Sequence, residues 1–358
     1  MKITQLHAVR VRIPQKPPIA PYQNRYKAGT HKESLLIRLE TDGGLVGWGE
    51  TPDDWINRSF EGTPEDRLRS QTLGRDPFDI EAWYAENTLG SYLASGVEMA
   101  MWDIIGKATK QPLYKLLGGG IRKKIELAAC MGIRPYDEAK AIARGYLDQG
   151  FTTLKTKAGR HAEEDLEMVR GIRDGVGDRL KLRIDPNMGY EPDVALSLAR
   201  DLEKYHLEYF EQPMEFSRIG ESARLRRMTK TPLGLNESVT TPEITLQILQ
   251  LGAADVLLPD TYQCGGIAGV RKVAALCEAA KVPCVFHCAH DLGLKTAAML
   301  HVVASTPNFP LANDCTYYGL EDDIITPLHQ IERGYLAVPE GPGLGVHVDE
   351  EKVAKHRV

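Results

Sequence analysis

The sequence predicts an α/β protein, a modified TIM (β/α)-barrel with an N-terminal α+β capping domain that the C-terminal tail completes. From Ile125 onward, eight strand-like apolar runs alternate with helical patterns. Charged residues end several of these runs at steps of roughly 26 residues, the length of one strand, one helix and two short loops. An open doubly wound sheet uses the same units, but it concentrates its site near one switch point. Charged ends on so many runs therefore favour the barrel.

The first 124 residues follow a different pattern. The runs ITQLHAVRVRI and SLLIRLETDGGLVGWGE alternate like antiparallel strands, with a hairpin turn at Asp42–Gly44. The stretch SGVEMAMWDIIGKAT then places apolar residues at helical spacing. We therefore predict an α+β capping domain over 1–124, a barrel over 125–320 and a C-terminal segment, 321–358, that returns to the capping domain.

The barrel prediction rests on eight runs in chain order. The predicted strands are IELAACMG, TTLKTKAG, LKLRIDPN, LEYFEQP, PLGLNES, DVLLPD, CVFHCAH and FPLANDC.

Composition excludes several classes of protein. A net charge of -5 argues against nucleic acid as a partner, and no apolar run reaches the roughly 20 residues that span a bilayer. The N-terminus alternates like an edge strand and lacks the apolar core of a signal peptide. Six cysteines in 358 residues do not form a disulfide framework. We expect a globular enzyme of the cytoplasm that acts on a small molecule.

Three carboxylates end successive predicted strands: Asp185 in RIDPN, Glu211 in FEQP and Glu237 in LNES. Ligation by oxygen alone suits Mg²⁺ or Mn²⁺ better than zinc. A single acid at a strand end would be read as an exposed loop residue or a helix cap. Three in phase at one rim favour a metal site.

Two lysines end the strand before these carboxylates. Lys155 and Lys157 in LKTK share one alternation parity, so both can face the barrel mouth. Two neighbouring cations beside a divalent metal are expected to have lowered pKa values, which suits a general base. The alternative is a solvated surface pair, which the apolar run before them disfavours.

The last predicted strands carry an acid and two histidines. Asp260 ends DVLLPD and His290 ends CVFHCAH, so the two can form an acid–imidazole pair. His287 is the competing histidine, and its opposite parity means that only one of the two should point into the mouth. Asp314 ends the eighth strand as a candidate substrate contact, with Glu321 as its alternative.

Taken together, these motifs resemble those of the enolase superfamily, in its mandelate racemase branch (the mandelate racemase/muconate lactonizing enzyme family). The resemblance covers essentially the whole chain and includes GVEMAMWDIIGKATKQPLYKLLGG, PDTYQCGG and the AH before DLGLKTAAMLHVVASTP. It implies Lys157 as a base and Lys155 beside the substrate carboxylate. It also implies Asp185, Glu211 and Glu237 as Mg²⁺ ligands and Asp260 with His290 as the dyad of this branch.

The resemblance implies proton abstraction next to a carboxylate, through an ene-diolate. We favour dehydration of a sugar acid to a 2-keto-3-deoxy acid, with racemisation or epimerisation of a 2-hydroxy acid such as mandelate as the alternative. The resemblance also disfavours cycloisomerisation. Family members that catalyse that reaction have a lysine where this chain has the Asp–His dyad. A non-catalytic metal-binding barrel is disfavoured most, because both Lys157 and the dyad are present.

Substrate contacts are expected from the barrel and from a first-domain loop. Asn187 stands where galactonate-dehydratase-like relatives have a histidine. The segment YQNRYK suits a hydroxylated substrate. We expect contacts from Asn187, Asp314, Tyr22 and Arg25, with Asn24 and Lys27 as further candidates. A homo-oligomer would be usual for such relatives.

Overall fold

The computed structural model describes residues 1–53 and 63–358. The first part of the described chain combines short strands and helices. Its strands are β1 (Ile3–Pro14), β2 (Tyr22–Gln23), β3 (Ala28–Gly29), β4 (His31–Thr41) and β5 (Val46–Pro52). Its helices are α1 (Pro64–Thr72), α2 (Ile80–Glu86), α3 (Ser91–Thr109) and α4 (Leu113–Leu116).

Strands β1, β4 and β5 form an antiparallel sheet in that order, which confirms the predicted α+β cap. The predicted hairpin turn joins β4 to β5, with Gly44 in the left-handed region at a φ of 75°. Helix α3 packs closely on β5, since a Cβ on Gly49 would fall 1.9 Å from the carbonyl oxygen of Gly96. Glycine is therefore required where this helix crosses the strand.

Strand β4 is buried on both faces. Leu35, Ile37 and Leu39 point to one side and pack with α3, whereas Leu36 points to the other side and joins the core of the barrel. The strand thus lies between the cap helix and the second part of the chain, and this packing fixes the cap over the barrel.

The second part of the chain is a parallel barrel with outer helices. Its strands are β6 (Lys124–Met131), β7 (Thr153–Lys157), β8 (Lys181–Asp185), β9 (Tyr209–Glu211), β10 (Leu233–Leu235), β11 (Val256–Leu257) and β12 (Asn313–Asp314). Its helices are α5 (Tyr136–Asp148), α6 (Ala162–Val176), α7 (Pro192–Leu202), α8 (Ile219–Met228), α9 (Pro242–Leu251), α10 (Thr261–Cys264), α11 (Ile267–Ala279) and α12 (Gly293–Ser305). Short 3-10 turns lie at Gly177–Arg179, Glu203–Tyr205 and Tyr317–Gly319.

The ring closes through an extended segment that is not a regular strand. Strands β6 to β11 pair in sequence and β12 pairs with β6. Residues 283–287 fill the position between β11 and β12, with the Val285 amide donating to the Leu257 carbonyl and the Asp314 amide to the Phe286 carbonyl. All eight predicted strand positions are therefore occupied, and the predicted barrel with a cap is confirmed.

The tail contains β13 (Ile325–Thr326), β14 (Tyr335–Ala337), β15 (His347–Val348) and α13 (Glu350–His356). Strand β14 pairs antiparallel with the barrel strand β6. The Val358 amide donates to the Arg10 carbonyl in the cap, and the Leu344 amide donates to Asp103 on α3. The tail thus contacts both parts of the chain, and the boundaries near 124 and 320 stay a proposal.

Two buried carboxylates of the cap bind the amino ends of barrel helices. Glu98 on α3 accepts hydrogen bonds from the amides of Ile267 and Ala268, where α11 begins. Glu50 on β5 accepts from the amides of Leu292 and Lys295 at the start of α12. Burial raises the pKa of each carboxyl to about 7. Both contacts fix the cap relative to the barrel mouth.

Among the described residues, no helix combines the length and apolar character needed to cross a membrane.

Candidate active site at the barrel mouth

The residues singled out in the sequence gather at the carboxyl ends of the barrel strands. Lys155 and Lys157 lie on β7, Asp185 ends β8 and Glu211 ends β9. The remaining residues of this rim are Glu237 after β10, Asp260 after β11, His287 at the end of the segment 283–287, and Asp314 on β12. Parallel strands place their carboxyl ends at one rim, which is where barrel active sites lie.

A cavity of about 440 Å³ lies between this rim and the cap. The barrel lines it with Lys155, Lys157, Asn187, Glu237, His287, His290 and Asp314, and the cap lines it with Gln15, Tyr22, Asn24, Lys27, His31 and Lys32. Its size is that of a site for a small molecule. Most of its lining residues carry a polar or charged group, which suits a hydroxylated or charged ligand.

Lys155 lies among three carboxylates. Its Nζ is 2.7 Å from Glu211 Oε1, 2.7 Å from Asp314 Oδ2 and 3.4 Å from Asp185 Oδ2. Burial by itself would lower the pKa of Lys155, but Asp314, Glu211 and Asp185 raise it well above its usual value. The expectation of a lowered pKa is therefore wrong for Lys155, which is a fixed positive charge.

Lys157 is the second lysine of the strand and faces the cavity. Its Nζ donates to Asp185, whose Oδ1 accepts from the amide of Asn187 at 2.9 Å. Burial opposes ionisation of Asp185, yet Lys157 and Lys155 together hold its pKa below the usual range. Asp185 is thus an anion in contact with both lysines.

Two buried carboxylate oxygens at the rim receive no hydrogen bond from any residue that the structure describes. They are Oε2 of Glu211 and Oε2 of Glu237. Burial and the neighbouring Asp185 raise the pKa of Glu211, and the same two causes raise that of Glu237 to about 7. Unsatisfied buried acceptors beside an anion are unfavourable unless a cation neutralises them. Asp185, Glu211 and Glu237 therefore fit a hard divalent cation.

A second group of possible ligands shares Glu211. Single ligand atoms of Glu211, His287 and Asp314 lie within 4.8 Å of one another. Within this second group only Glu211 has an oxygen without a donor, because Asp314 accepts from Lys155 and from Arg183, whereas the three carboxylates above include a second such oxygen on Glu237. We therefore favour the three carboxylates Asp185, Glu211 and Glu237 as the metal site.

The acid–imidazole pair involves a different histidine from the predicted one. Asp260 Oδ2 lies 3.0 Å from Nδ1 of His287, and not against His290. His290 itself lies in a bend after this segment, with a φ of 63°, so strand alternation does not reach it. His290 Nδ1 instead accepts from Gln15 Nε2 at 3.0 Å. Both histidines line the cavity, contrary to the expectation that only one would.

The surroundings keep His287 neutral. Burial first, and then the charge of Lys155, lower the pKa of His287 well below its usual value. With ionised Asp260 as acceptor, Nδ1 carries the ring proton and Nε2 is left as a base. An imidazole held in this way can accept a proton from a molecule in the cavity.

Sequence reasoning missed Lys295, which lies on α12 and is fully buried. Its Nζ is 2.8 Å from Asp260 Oδ1 and 2.7 Å from Asp291 Oδ2. The sequence does contain a sign of this burial, because Lys295 is the one lysine in the apolar run DLGLKTAAMLHVV. A helix that is apolar on all sides is buried on all sides, so a lysine within it is buried too.

Of the cap residues predicted to contact substrate, some line the cavity and one does not. Tyr22 is buried and lines the cavity, with its ring 4.0 Å from that of His290. Asn24 also lines it, while its Oδ1 accepts from the amides of Tyr26 and Lys27. Arg25 is not part of the lining. Its guanidinium donates to the carbonyls of Asn187 and Met188. Arg25 therefore holds the cap hairpin, formed by β2 and β3 (residues 22–29), on the barrel rather than facing the ligand.

Asp314 lines the cavity, and a buried arginine holds its carboxylate in place. Its Oδ1 accepts from Nη1 of the fully buried Arg183 at 3.1 Å. Glu321, its alternative, is exposed and does not line the cavity. Asn187 lines the cavity and donates from Nδ2 to Glu237 Oε1 at 3.0 Å.

Comparison with known proteins agrees with this geometry. Residues 138–352 match the family described as enolase C-terminal domain-like, and residues 8–118 match the mandelate racemase / muconate lactonizing enzyme N-terminal domain. The fold and the matches define an enzyme of the enolase superfamily. Within it, the chain belongs to the mandelate racemase / muconate lactonizing enzyme family, which confirms the resemblance seen in the sequence.

The relatives have different activities. The chain is 30% identical to L-Ala-D/L-Glu epimerase of Bacillus subtilis, covering 97% of both chains. It is also 30% identical to arabinonate dehydratase of Saccharolobus solfataricus, covering 87% of both. Among solved structures, the dipeptide epimerase of Enterococcus faecalis, complexed with Mg and the dipeptide L-Leu-L-Tyr, superposes with a TM-score of 0.87 at 26% identity, over 97% of this chain and 99% of that one. The relatives thus share one family and catalyse different reactions within it.

Proposed function

We propose that this protein is a Mg²⁺-dependent dehydratase of a sugar acid. The reaction would remove the proton next to the carboxylate and the β-hydroxyl, and give a 2-keto-3-deoxy acid. The observation that carries the proposal is that Lys157 and His287, two groups able to exchange protons, line one cavity from different positions around the barrel.

Asp185, Glu211 and Glu237 would hold the Mg²⁺. When bound, the ion would stabilise the negative charge that develops on the substrate carboxylate. Lys155 adds a fixed positive charge at the same rim, where a buried ammonium acts more strongly than one in water. The α-proton of a carboxylate is too weakly acidic for a side chain to remove without such stabilisation.

His287 accepts a proton at Nε2, because Asp260 holds the proton on Nδ1. The resulting imidazolium faces the Asp260 carboxylate, which stabilises its charge. Lys157, on β7, lines the same cavity and can donate a proton to the departing hydroxyl. With the two roles exchanged, the same pair can serve a substrate of the opposite configuration.

The cavity wall supports a hydroxylated substrate. Gln15, Tyr22, Asn24, Lys27 and His31 offer donors and acceptors on the cap side. A 30% identical relative is an arabinonate dehydratase. An aromatic substrate such as mandelate would leave many of these groups without partners, which is unfavourable on burial.

A second candidate is racemisation or epimerisation next to a carboxylate. The similarity to L-Ala-D/L-Glu epimerase favours it, and the first proton transfer would be the same. The two candidates differ in the second step, in which Lys157 would return a proton to carbon rather than to oxygen.

A substrate screen tests the proposal. Mono- and diacid sugars of all configurations would be incubated with the protein and Mg²⁺, and 2-keto acid formation would be measured. We expect turnover of at least one sugar acid, which a His287→Asn variant lacks. Inversion at C2 without loss of water, among sugar acids or 2-hydroxy acids, would replace the dehydratase with the second candidate.

A further inference from the structure

A buried lysine outside the cavity is bound to the acid of the Asp260–His287 pair. Lys295 lies in the first turn of α12, in a run of buried residues, and its own exposure is 0%. An ammonium is buried only where anions repay its lost hydration. Here the anions are Asp260 and Asp291, at 2.8 and 2.7 Å from Nζ. Burial would lower the pKa of Lys295, but these two carboxylates raise it, so Lys295 is charged.

Lys295 occupies one oxygen of Asp260 and leaves the other for His287. Oδ1 accepts from Lys295 at 2.8 Å and, at 3.3 and 3.4 Å, from the Thr261 hydroxyl and the Tyr262 amide, while Oδ2 lies 3.0 Å from Nδ1 of the imidazole. A carboxylate held at both oxygens cannot rotate about its terminal torsion. Of the three donors to Oδ1, the ammonium makes the shortest contact and the only charged one, so it contributes most to the rotamer in which Asp260 binds the proton-bearing Nδ1 of His287.

Charge balance gives Lys295 a second effect. Asp260, Asp291 and Lys295 together carry one negative charge, which a proton on His287 would neutralise. Without the ammonium, two buried carboxylates would lie close together, and such a pair does not stay fully ionised. Asp260 would then be protonated for part of the time and would no longer fix the tautomer of His287.

We propose that Lys295 is a positioning residue that acts on His287 through Asp260. Proton transfer by His287 depends on it, whereas proton transfer by Lys157 does not. This proposal rests on the proposed function for its kinetic consequence, and its consequence for the tautomer of His287 holds without any substrate.

The test uses two variants and one control in the full chain. Lys295→Met removes the charge at similar length. Lys295→Met/Asp291→Asn also removes one carboxylate, so a folded protein is available if the single variant is unstable. Lys107→Met is the control, because Lys107 bonds Asp103 within the cap and is not part of the cavity lining. It measures the effect of losing a paired lysine elsewhere.

The first measurement needs no substrate. Nitrogen-15 NMR of labelled histidine, with His287 assigned by its loss in His287→Asn, reports which ring nitrogen carries the proton. We expect the Nδ1–H form in the wild type and in Lys107→Met, an average of two tautomers in Lys295→Met and, from the lost contact to Oδ1 alone, a smaller second population in the double variant. An unchanged Nδ1–H form in the Lys295 variants would overturn the proposal.

The second measurement follows exchange of the α-proton in D₂O for substrates of both configurations at C2. We expect the Lys295 variants to lose about 10- to 100-fold in the exchange that His287→Asn abolishes, as loss of an orienting partner usually does. Exchange by Lys157 should change less than about 3-fold, since Lys295 does not contact that lysine. Equal losses on both faces would overturn the proposal. If the wild type exchanges no substrate, the proposed function fails and the NMR result alone decides the role of Lys295.

Discussion

Asp260 Oδ2 lies 3.0 Å from Nδ1 of His287, beneath the cavity at the mouth of the barrel. This contact identifies which of two nearby histidines can act as an oriented base. The second candidate proton-transfer residue, Lys157, has a different acidic partner, because it contacts Asp185 and not Asp260.

The two histidines predict opposite outcomes on substitution. His287→Asn should lower kcat by about 10²- to 10⁴-fold, the usual effect of losing a general acid or base. His290→Asn should leave kcat within about 10-fold, because His290 contacts Gln15 and Tyr22 rather than an acid. Steady-state kinetics of both variants decides between them. A dead His290 variant beside an active His287 variant would restore the pairing first expected from the sequence.

Metal binding is expected to depend on the three rim carboxylates. Glu211→Gln removes a negative charge at the oxygen that has no donor, so Mg²⁺ should bind at least about 10-fold more weakly, by isothermal titration calorimetry. The exposed Glu221→Gln on α8 is the matched control and should bind as the wild type does. Undiminished affinity in Glu211→Gln would exclude this carboxylate as a ligand.

The cap hairpin should depend on Arg25. Losing the charge-assisted bonds to the carbonyls of Asn187 and Met188 in Arg25→Met should raise KM by roughly 10-fold, with a smaller change in kcat. Amide hydrogen exchange of residues 22–29 should become faster without substrate. Lys16→Met, at an exposed position before this hairpin and outside the cavity lining, is the comparison and should leave KM unchanged. A raised KM with unchanged amide exchange would instead indicate that Arg25 contacts the substrate.

Stability should fall between about pH 4.5 and 7 because of Glu98. Burial raises the pKa of Glu98 from its usual 4.5 to about 7, so the unfolded chain releases this proton at lower pH than the folded one. The folded state therefore loses about 3 kcal/mol as the pH rises through this window. Glu98→Gln cannot ionise and should show a flatter dependence in urea unfolding at pH 5 and pH 8. An identical slope in both proteins would contradict this assignment.

The sequence identified most of the rim because parallel strands place their ends together. Lys155, Asp185 and Glu211 each follow an apolar run, and the alternation of side chains along a strand indicates which of them point into the barrel mouth. The fold followed from the same repeat, and the eight predicted runs match the positions around the ring.

The predictions that were wrong or missing concern residues outside regular strands or contacts between distant parts of the chain. His290 was favoured because it ends an apolar run, yet the chain turns after His287 and alternation no longer applies. The raised pKa of Lys155 depends on three carboxylates from three other strands, which no local pattern contains. Lys295 went unnoticed because its partners, Asp260 and Asp291, become close only when α12 packs against the barrel.

The central claim is that His287 and Lys157 exchange the proton next to a substrate carboxylate. Proton NMR in D₂O with Mg²⁺ tests it directly, with a sugar acid identified in the screen and the wild-type, His287→Asn and Lys157→Met proteins. We expect that the wild type replaces the α-proton with deuterium or removes it with the product, and that each variant loses the reaction of one configuration at C2. An α-proton that leaves at the wild-type rate in both variants would contradict it.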